Sequence, residues 1–128
     1  MAGAATANYW VVGAMWGGHD DHLEEFVRRG HWHLGWADED QPGLAASRAK
    51  ILPGDRIAIK RMLGQGAREI EIRALGVVTE NDHEEKRVYV RWAVWDLRRT
   101  VESKGCFGSI HGPFGADAQE WIRRVFQL

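Results

Sequence analysis

Three segments in the middle of the chain alternate between apolar and polar residues, and this pattern constrains the fold more than any other feature. The segments are DRIAIKR, EIEIRAL and RVYVRWAVW, which all lie between Asp55 and Trp95. Successive side chains of a β-strand point to opposite faces of a sheet, so a period of two residues is typical of strands. The glycine-rich segment MLGQGA and the turn residues Asn81–His83 separate the segments. We therefore expect three strands joined by a flexible loop and a turn.

Another strand and two helices are expected before these segments. The apolar run Tyr9–Ala14 predicts a buried strand. Asp20 and Asp21 are typical of the start of a helix, which Gly30 would end. The tryptophan-rich segment GHWHLGW then leaves this helix and is expected to form a loop. A turn cluster follows, and Leu44–Leu52 predicts a short helix.

A last helix is expected after a second glycine-rich stretch, Lys104–Gly115. Asp117 is expected to cap this helix, because Glu120 follows three residues later. Its apolar stripe would contain Trp121, Ile122 and Val125. The order of elements predicts an α+β fold with a strongly curved or barrel-like sheet and flanking helices.

Length and composition fit one domain over residues 1–128, with residues 1–7 as a flexible leader. A net charge of −1 argues against binding nucleic acid through a large positive charge alone. The single cysteine cannot form an internal disulfide, and the start of the chain lacks the pattern of a signal peptide. We therefore expect a cytoplasmic protein. No segment approaches the length of a membrane span, so no membrane contact is expected.

The residues that could carry catalysis form only weak patterns. The six histidines show no HExxH spacing, and one cysteine cannot build a thiolate cluster. Asp20, His22 and His31 could meet around a metal, but histidines without a ligand role are more common. The short spacing of Cys106 and His111 within a glycine-rich loop disfavours a nucleophile and base pair. We expect no catalytic residue, no cofactor and no metal.

The seven tryptophans are the strongest functional signal. Trp10, Trp92 and Trp121 lie within strand or helix patterns, and we expect them in the core. Trp95 lies on the opposite strand face from Trp92, and the pattern leaves its role open. Three others lie in predicted loops next to glycine, where a ring buries little surface: Trp16, Trp32 and Trp36. This position favours a shared pocket for a flat ligand.

Cations surround the two glycine-rich loops. Lys60 and Arg61 precede the first loop and Arg68 follows it, while Lys104 begins the second. The first loop lacks the lysine and hydroxyl residue of a P-loop, so nucleotide hydrolysis is not expected. One interpretation is a plain hairpin connection. The other is a phosphate contact, because mobile backbone amides flanked by cations can hold phosphate groups.

Several blocks together resemble an EVE domain, a PUA-like family that is similar to YTH readers of modified bases. These blocks are YWVVGA, the tryptophan-rich loop, PGDRIAIK, IRALGVV, VYVRWAVWDL, SIHGPF and EWIRRVF, and they run from Tyr9 to the C-terminus. The likeness is greatest to the specificity domains of modification-dependent restriction systems. It implies a PUA-like fold and an aromatic pocket that holds a modified base. The implied pocket residues are Trp16, Gly17, Asp20, Trp32, Trp36, Ser109 and His111.

The resemblance implies a non-catalytic reader of DNA that flips a modified cytosine into this pocket, with a nuclease as a separate partner. Lys60, Arg61, Arg68 and Lys104 would then hold the DNA backbone. Two alternatives remain open. One is a PUA-like RNA-binding protein, which would prefer ribose over deoxyribose. The other is a small enzyme that depends on His31 or His33.

Overall fold

The computed structural model describes residues 7–128, so residues 1–6 of the expected leader lie outside the described residues. Its strands are β1 (Tyr9–Gly13), β2 (Met15–Trp16), β3 (Asp20–Asp21), β4 (His31–Trp32), β5 (Arg56–Met62), β6 (Glu69–Asp82), β7 (Arg87–Val94), β8 (Arg99–Glu102) and β9 (Ile110–Phe114). Its helices are α1 (Leu23–Arg29), α2 (Pro42–Ala49) and α3 (Gln119–Phe126), the last preceded by a 3₁₀ turn at Ala116–Ala118. The predicted α+β class is confirmed. No helix within residues 7–128 is long and apolar enough to cross a membrane.

Seven strands form one mixed sheet in the order β4-β7-β6-β5-β1-β9, with β8 paired to β6. β1 is parallel to β5, and the other pairs in this sheet are antiparallel. The three alternating segments are β5, β6 and β7, joined as consecutive hairpins as the sequence predicts. The edge strands β4 and β9 do not pair with each other among the described residues. The sheet is therefore open, and the expected closure into a barrel is absent from this part of the chain.

Two apolar clusters pack against the sheet, and the alternation of β1 explains the division. Trp10 and Val12 belong to the first cluster, whereas Val11 between them belongs to the second. Since neighbouring residues of a strand face opposite ways, the two clusters lie on opposite faces of the sheet. Residues of α1 pack in the first cluster and residues of α3, including Trp121, pack in the second. The predicted core positions of Trp10 and Trp121 are confirmed, and Trp92 packs against the first cluster.

Asp55 joins the start of β5 to β1 and explains the sequence PGD before the strand. Its buried carboxylate accepts a hydrogen bond from the backbone N–H of Asn8 at 3.1 Å and another from that of Leu52 at 3.0 Å. The indole N–H of Trp10 donates a third at 2.9 Å. These three donors satisfy most of the hydrogen-bond acceptor positions of the buried carboxylate. They also fix the register of the parallel pair of β1 and β5.

Several local predictions change in the structure. Trp16 lies in β2 and not in a loop, Asp20 and Asp21 form β3 before the helix, and Asn81 and Asp82 end β6. His31–Trp32 does not form a loop. Its backbone pairs with Val88 and Tyr89 of β7 and forms the edge strand β4. The second helix covers Pro42–Ala49 and not Leu44–Leu52, since Pro42 has no N–H to satisfy in the first turn. Asp117 does not cap α3, because it lies inside the 3₁₀ turn and the helix begins after Ala118 without a side-chain cap.

Candidate functional site

Trp32 is a core residue. Its side chain is completely buried in the first cluster, and its indole N–H donates a 2.8 Å hydrogen bond to the carbonyl oxygen of Gly13. The expectation that Trp32 presents a ring from a loop is wrong, because β4 points this ring into the apolar interior. Trp32 therefore supports the end of β1 from within and offers no ring face to solvent.

Trp16 and Trp36 both keep accessible surface, and Gly35 contacts the first and precedes the second. Trp16 is half-buried, and its ring packs over that of His22, with centroids 3.5 Å apart, and 5.1 Å from that of His33. A Cβ atom on Gly35 would lie only 2.7 Å from the indole nitrogen of Trp16, so only glycine allows this approach. Trp36 follows Gly35 directly and is 51% exposed. We call the set of Trp16, His33, Gly35 and Trp36 the aromatic surface.

A cleft of 180 Å³ opens beside Trp36. Its lining residues are His33, Leu34, Trp36, Ala37, Asp38, Arg48, Glu85, Lys86 and Arg87. This volume is about six times the roughly 30 Å³ that one water molecule occupies in the liquid. His33 belongs both to the cleft and to the contact with Trp16. The cleft is thus continuous with the aromatic surface.

Three cations and two acids line the cleft: Arg48, Lys86, Arg87, Asp38 and Glu85. The buried guanidinium of Arg48 donates two hydrogen bonds of 2.9 Å to Asp38, and these bonds lower the pKa of that carboxyl group. Lys86 lies 3.6 Å from the same carboxylate. Arg87 is exposed and has no ion pair within residues 7–128. Arg48 therefore holds Asp38 in the wall of the cleft, while the side chains of Lys86 and Arg87 remain accessible to an anion.

Asp20 and Gly17 lie at the edge of the aromatic surface. Gly17 is exposed, with a φ of 64° in the turn between β2 and β3. The carboxylate of exposed Asp20 is 3.0 Å from Nε2 of His22, and Glu25 is 2.9 Å from Nδ1. Burial alone would lower the pKa of His22, but these two hydrogen bonds outweigh it and raise the pKa. A protonated ring donates from both nitrogens, so His22 holds both carboxylates under Trp16.

Ser109 and His111 lie at a different place, beside the end of β1. The backbone carbonyl of Ser109 accepts a 2.9 Å hydrogen bond from the N–H of Gly13. The N–H of Gly108 donates to Nε2 of His111 at 2.8 Å. This place lies near buried Lys60 and Cys106 of the second cluster, whereas Trp16 packs against the first cluster on the other face of the sheet. The base-binding candidates therefore divide into two groups.

Lys60 belongs to the second group and is not a surface cation. It is only 6% exposed, and a Cβ added to Gly13 would lie 3.7 Å from its ammonium nitrogen. Burial lowers the pKa of Lys60. Burial also raises the pKa of the neighbouring Cys106 thiol to about 11, which keeps the thiol protonated at neutral pH. The expectation that Lys60 is an exposed phosphate contact is wrong, because the alternation of β5 places Lys60 on the same face as Ala58, which packs in the second cluster.

The other three predicted phosphate contacts are exposed: Arg61, Arg68 and Lys104. The backbone carbonyl of Arg68 accepts a 2.9 Å hydrogen bond from the N–H of Ser103, which brings the two glycine-rich loops side by side. Arg68 precedes the first residue of β6, whereas Arg87 pairs with the last. A strand of 14 residues spans up to about 45 Å, so these cations lie at opposite ends of β6.

Comparisons with known proteins find no matching family model, no matching curated protein and no matching solved structure. The resemblance to EVE domains therefore rests on the sequence blocks between Tyr9 and the C-terminus.

Three residues of this region were missed by sequence reasoning. The sequence patterns give no role to Lys86 or Glu25 and place Arg87 only at the start of the third alternating segment, although two adjacent cations at a hairpin are a visible signal. The ligand atom of Glu25 lies within 4.8 Å of those of His31 and His33, an arrangement that only the packing of α1 on β4 creates.

Proposed function

We propose that this chain is a non-catalytic reader that binds DNA carrying a modified cytosine, and that its fold is a PUA-like one. The observation that carries the proposal is the half-exposed ring of Trp36 at a cleft that Lys86 and Arg87 line. Trp16 contacts Gly35, the residue that precedes Trp36. Aromatic rings beside accessible cations suit a flipped base and its flanking phosphates. The EVE resemblance supplies the ligand class, and it suggests a separate nuclease as partner.

The free energies of stacking and of base extrusion favour an aromatic site for a flipped base. Stacking of one base on an aromatic ring contributes about 1–3 kcal/mol, and taking a base out of a duplex costs a few kcal/mol. The exposed ring of Trp36 can therefore offset part of that cost. Trp16 packs against the ring of His22 and against Gly35, so it supports the residue that precedes Trp36.

Discrimination between bases needs a polar group in addition to the rings. Burial of one methyl-sized group contributes about 0.8 kcal/mol, which is only about fourfold in affinity. A wrong base that leaves a buried polar group unpaired costs a further 1–3 kcal/mol or so. Asp20 is an accessible acceptor at the edge of the aromatic surface. We propose that its carboxylate accepts a hydrogen bond from the edge of the flipped base.

The test of this proposal is a binding screen with otherwise identical duplexes. They carry cytosine, 5-methylcytosine, 5-hydroxymethylcytosine, adenine or N6-methyladenine at one position, and tryptophan fluorescence reports binding. We expect a modified-cytosine duplex to bind at least about fourfold more tightly than the unmodified one. A matched RNA set is the control. Equal affinity for all DNA duplexes, or tighter binding of RNA, would contradict the proposal.

The cations at the cleft give a second expectation. Arg87→Gln should weaken binding of modified and unmodified DNA by the same factor, because phosphates carry no base information. It should also reduce the slope of log affinity against log salt by about 0.9, the value for one lost phosphate contact. The measurement is a salt series of titrations with both duplexes.

Arg68→Gln tests the phosphate contact expected at the glycine-rich loops, since Arg68 is an exposed arginine at the other end of β6. If the cleft alone holds the DNA backbone, this variant keeps the salt slope of the unmodified protein. A reduced slope in Arg68→Gln and an unchanged one in Arg87→Gln would place the DNA at the glycine-rich loops instead.

A further inference from the structure

A cluster of three candidate metal ligands adjoins the aromatic surface and shares His33 with it. Glu25 on α1, His31 on β4 and His33 after it each offer one ligand atom, and these atoms all lie within 4.8 Å of one another. His31 and His33 are two residues apart along an extended segment, so both rings lie on the same side of the backbone. Glu25 reaches them because α1 packs on β4.

His31 has an unused nitrogen in the interior. The residue is 4% exposed, and its Nε2 atom has no hydrogen-bond partner among the described residues. A buried polar atom without a partner is destabilising, and a metal bound to this nitrogen would supply the partner.

His33 and Glu25 are already oriented for coordination. Nδ1 of His33 lies 3.0 Å from the carbonyl oxygen of Leu34. A carbonyl only accepts, so Nδ1 carries the proton and the lone pair is on Nε2, as in many metal-bound histidines. One carboxylate oxygen of Glu25 accepts a hydrogen bond from His22, and the other lies 3.9 Å from Nε of Arg29. The ring of Phe26 lies 5.8 Å from His31 and 5.2 Å from His33, as an apolar wall.

From this geometry we propose that Glu25, His31 and His33 bind a divalent transition metal ion of the Zn²⁺ class. Two histidines and one glutamate are a zinc donor set that leaves a fourth coordination position open. Zinc bonds of about 2.1 Å place tetrahedral ligands about 3.4 Å apart, so the three ligand atoms need to close by at most about 1.4 Å. Glu25 and His33 are half-buried and can rotate by that amount. The ion would lie beside Trp16, whose ring is 5.1 Å from that of His33.

Titration of the metal-free protein with ZnCl₂ in a calorimeter tests this inference. We expect one saturable site per chain. Glu25→Gln and His33→Gln should each weaken Zn²⁺ binding by at least about tenfold, since even outer-shell changes cost that much. These half-buried residues are chosen because replacing buried His31 could unfold the chain. Titration with Co²⁺ should give the visible absorption of a tetrahedral ion in the unmodified protein and lose it in both variants.

His83→Gln is the control, because His83 is an exposed histidine outside the cluster. It should bind Zn²⁺ like the unmodified protein. Circular dichroism of each variant checks that the fold persists. The inference is overturned if no saturable site is found, or if folded His33→Gln and Glu25→Gln retain the unmodified affinity. This outcome is independent of DNA binding, so the test and the proposed function can fail separately.

Discussion

Replacing Trp36 with alanine is expected to weaken binding of the modified duplex by about 5- to 150-fold. The reason is the loss of one stacking contact worth about 1–3 kcal/mol. The melting temperature should change little, because the ring is half-exposed and most surface substitutions change stability by less than about 0.5 kcal/mol. Fluorescence titration with the modified and unmodified duplexes measures the first effect, and thermal unfolding measures the second.

Trp95→Ala is a closely matched control for this experiment. Trp95 is 53% exposed, compared with 51% for Trp36, and it follows the last residue of β7, whereas the cleft adjoins the first. We expect Trp95→Ala to bind the modified duplex within about twofold of the unmodified protein. If both variants lose affinity equally, the exposed tryptophans contribute only nonspecific binding, and the aromatic surface is not the binding site.

Trp32→Ala is expected to behave in the opposite way and to destabilise the fold. Truncation of a fully buried aromatic side chain costs about 3–5 kcal/mol, and the carbonyl of Gly13 also loses its indole donor. Domains of this size have a total stability of about 5–15 kcal/mol. Chemical denaturation should therefore show a free energy of unfolding lower by about 3–5 kcal/mol or a largely unfolded chain.

Trp32→Phe separates the two contributions. It keeps most of the apolar volume but removes the indole N–H, so we expect it to recover more than half of the lost stability. If Trp32→Ala instead unfolds at the same denaturant concentration as the unmodified protein, the ring is not part of the core. Trp32 would then return to the list of rings available to a ligand.

The strands could be predicted from the sequence because their signal is local. The alternation in DRIAIKR, EIEIRAL and RVYVRWAVW identifies β5, β6 and β7, since burial of one sheet face imposes a period of two. Gly30 ends α1 with a φ of 71°, as its lack of a Cβ atom allows. The core positions of Trp10 and Trp121 follow from the same kind of local pattern.

The candidate site could be predicted only in part. Trp16 and Trp36 were predicted to present rings from loops next to glycine, and both remain accessible. Trp32 was predicted to belong to the same group, because the two residues of β4 are too few to show the period of a strand. The sequence also gave no reason to separate Ser109 and His111 from the aromatic surface.

The sequence by itself determined the α+β class, the hairpins and the residue types available for binding, because short-range periodicity and turn chemistry encode them. Only the tertiary structure decided which of those residues share a surface. Lys60 lies on the face of β5 that the second cluster covers, Lys86 and Arg87 reach Trp36 through a hairpin, and Glu25 meets His31 and His33 through helix packing. Each of these depends on contacts between residues distant in the chain. Local patterns carry no record of such contacts.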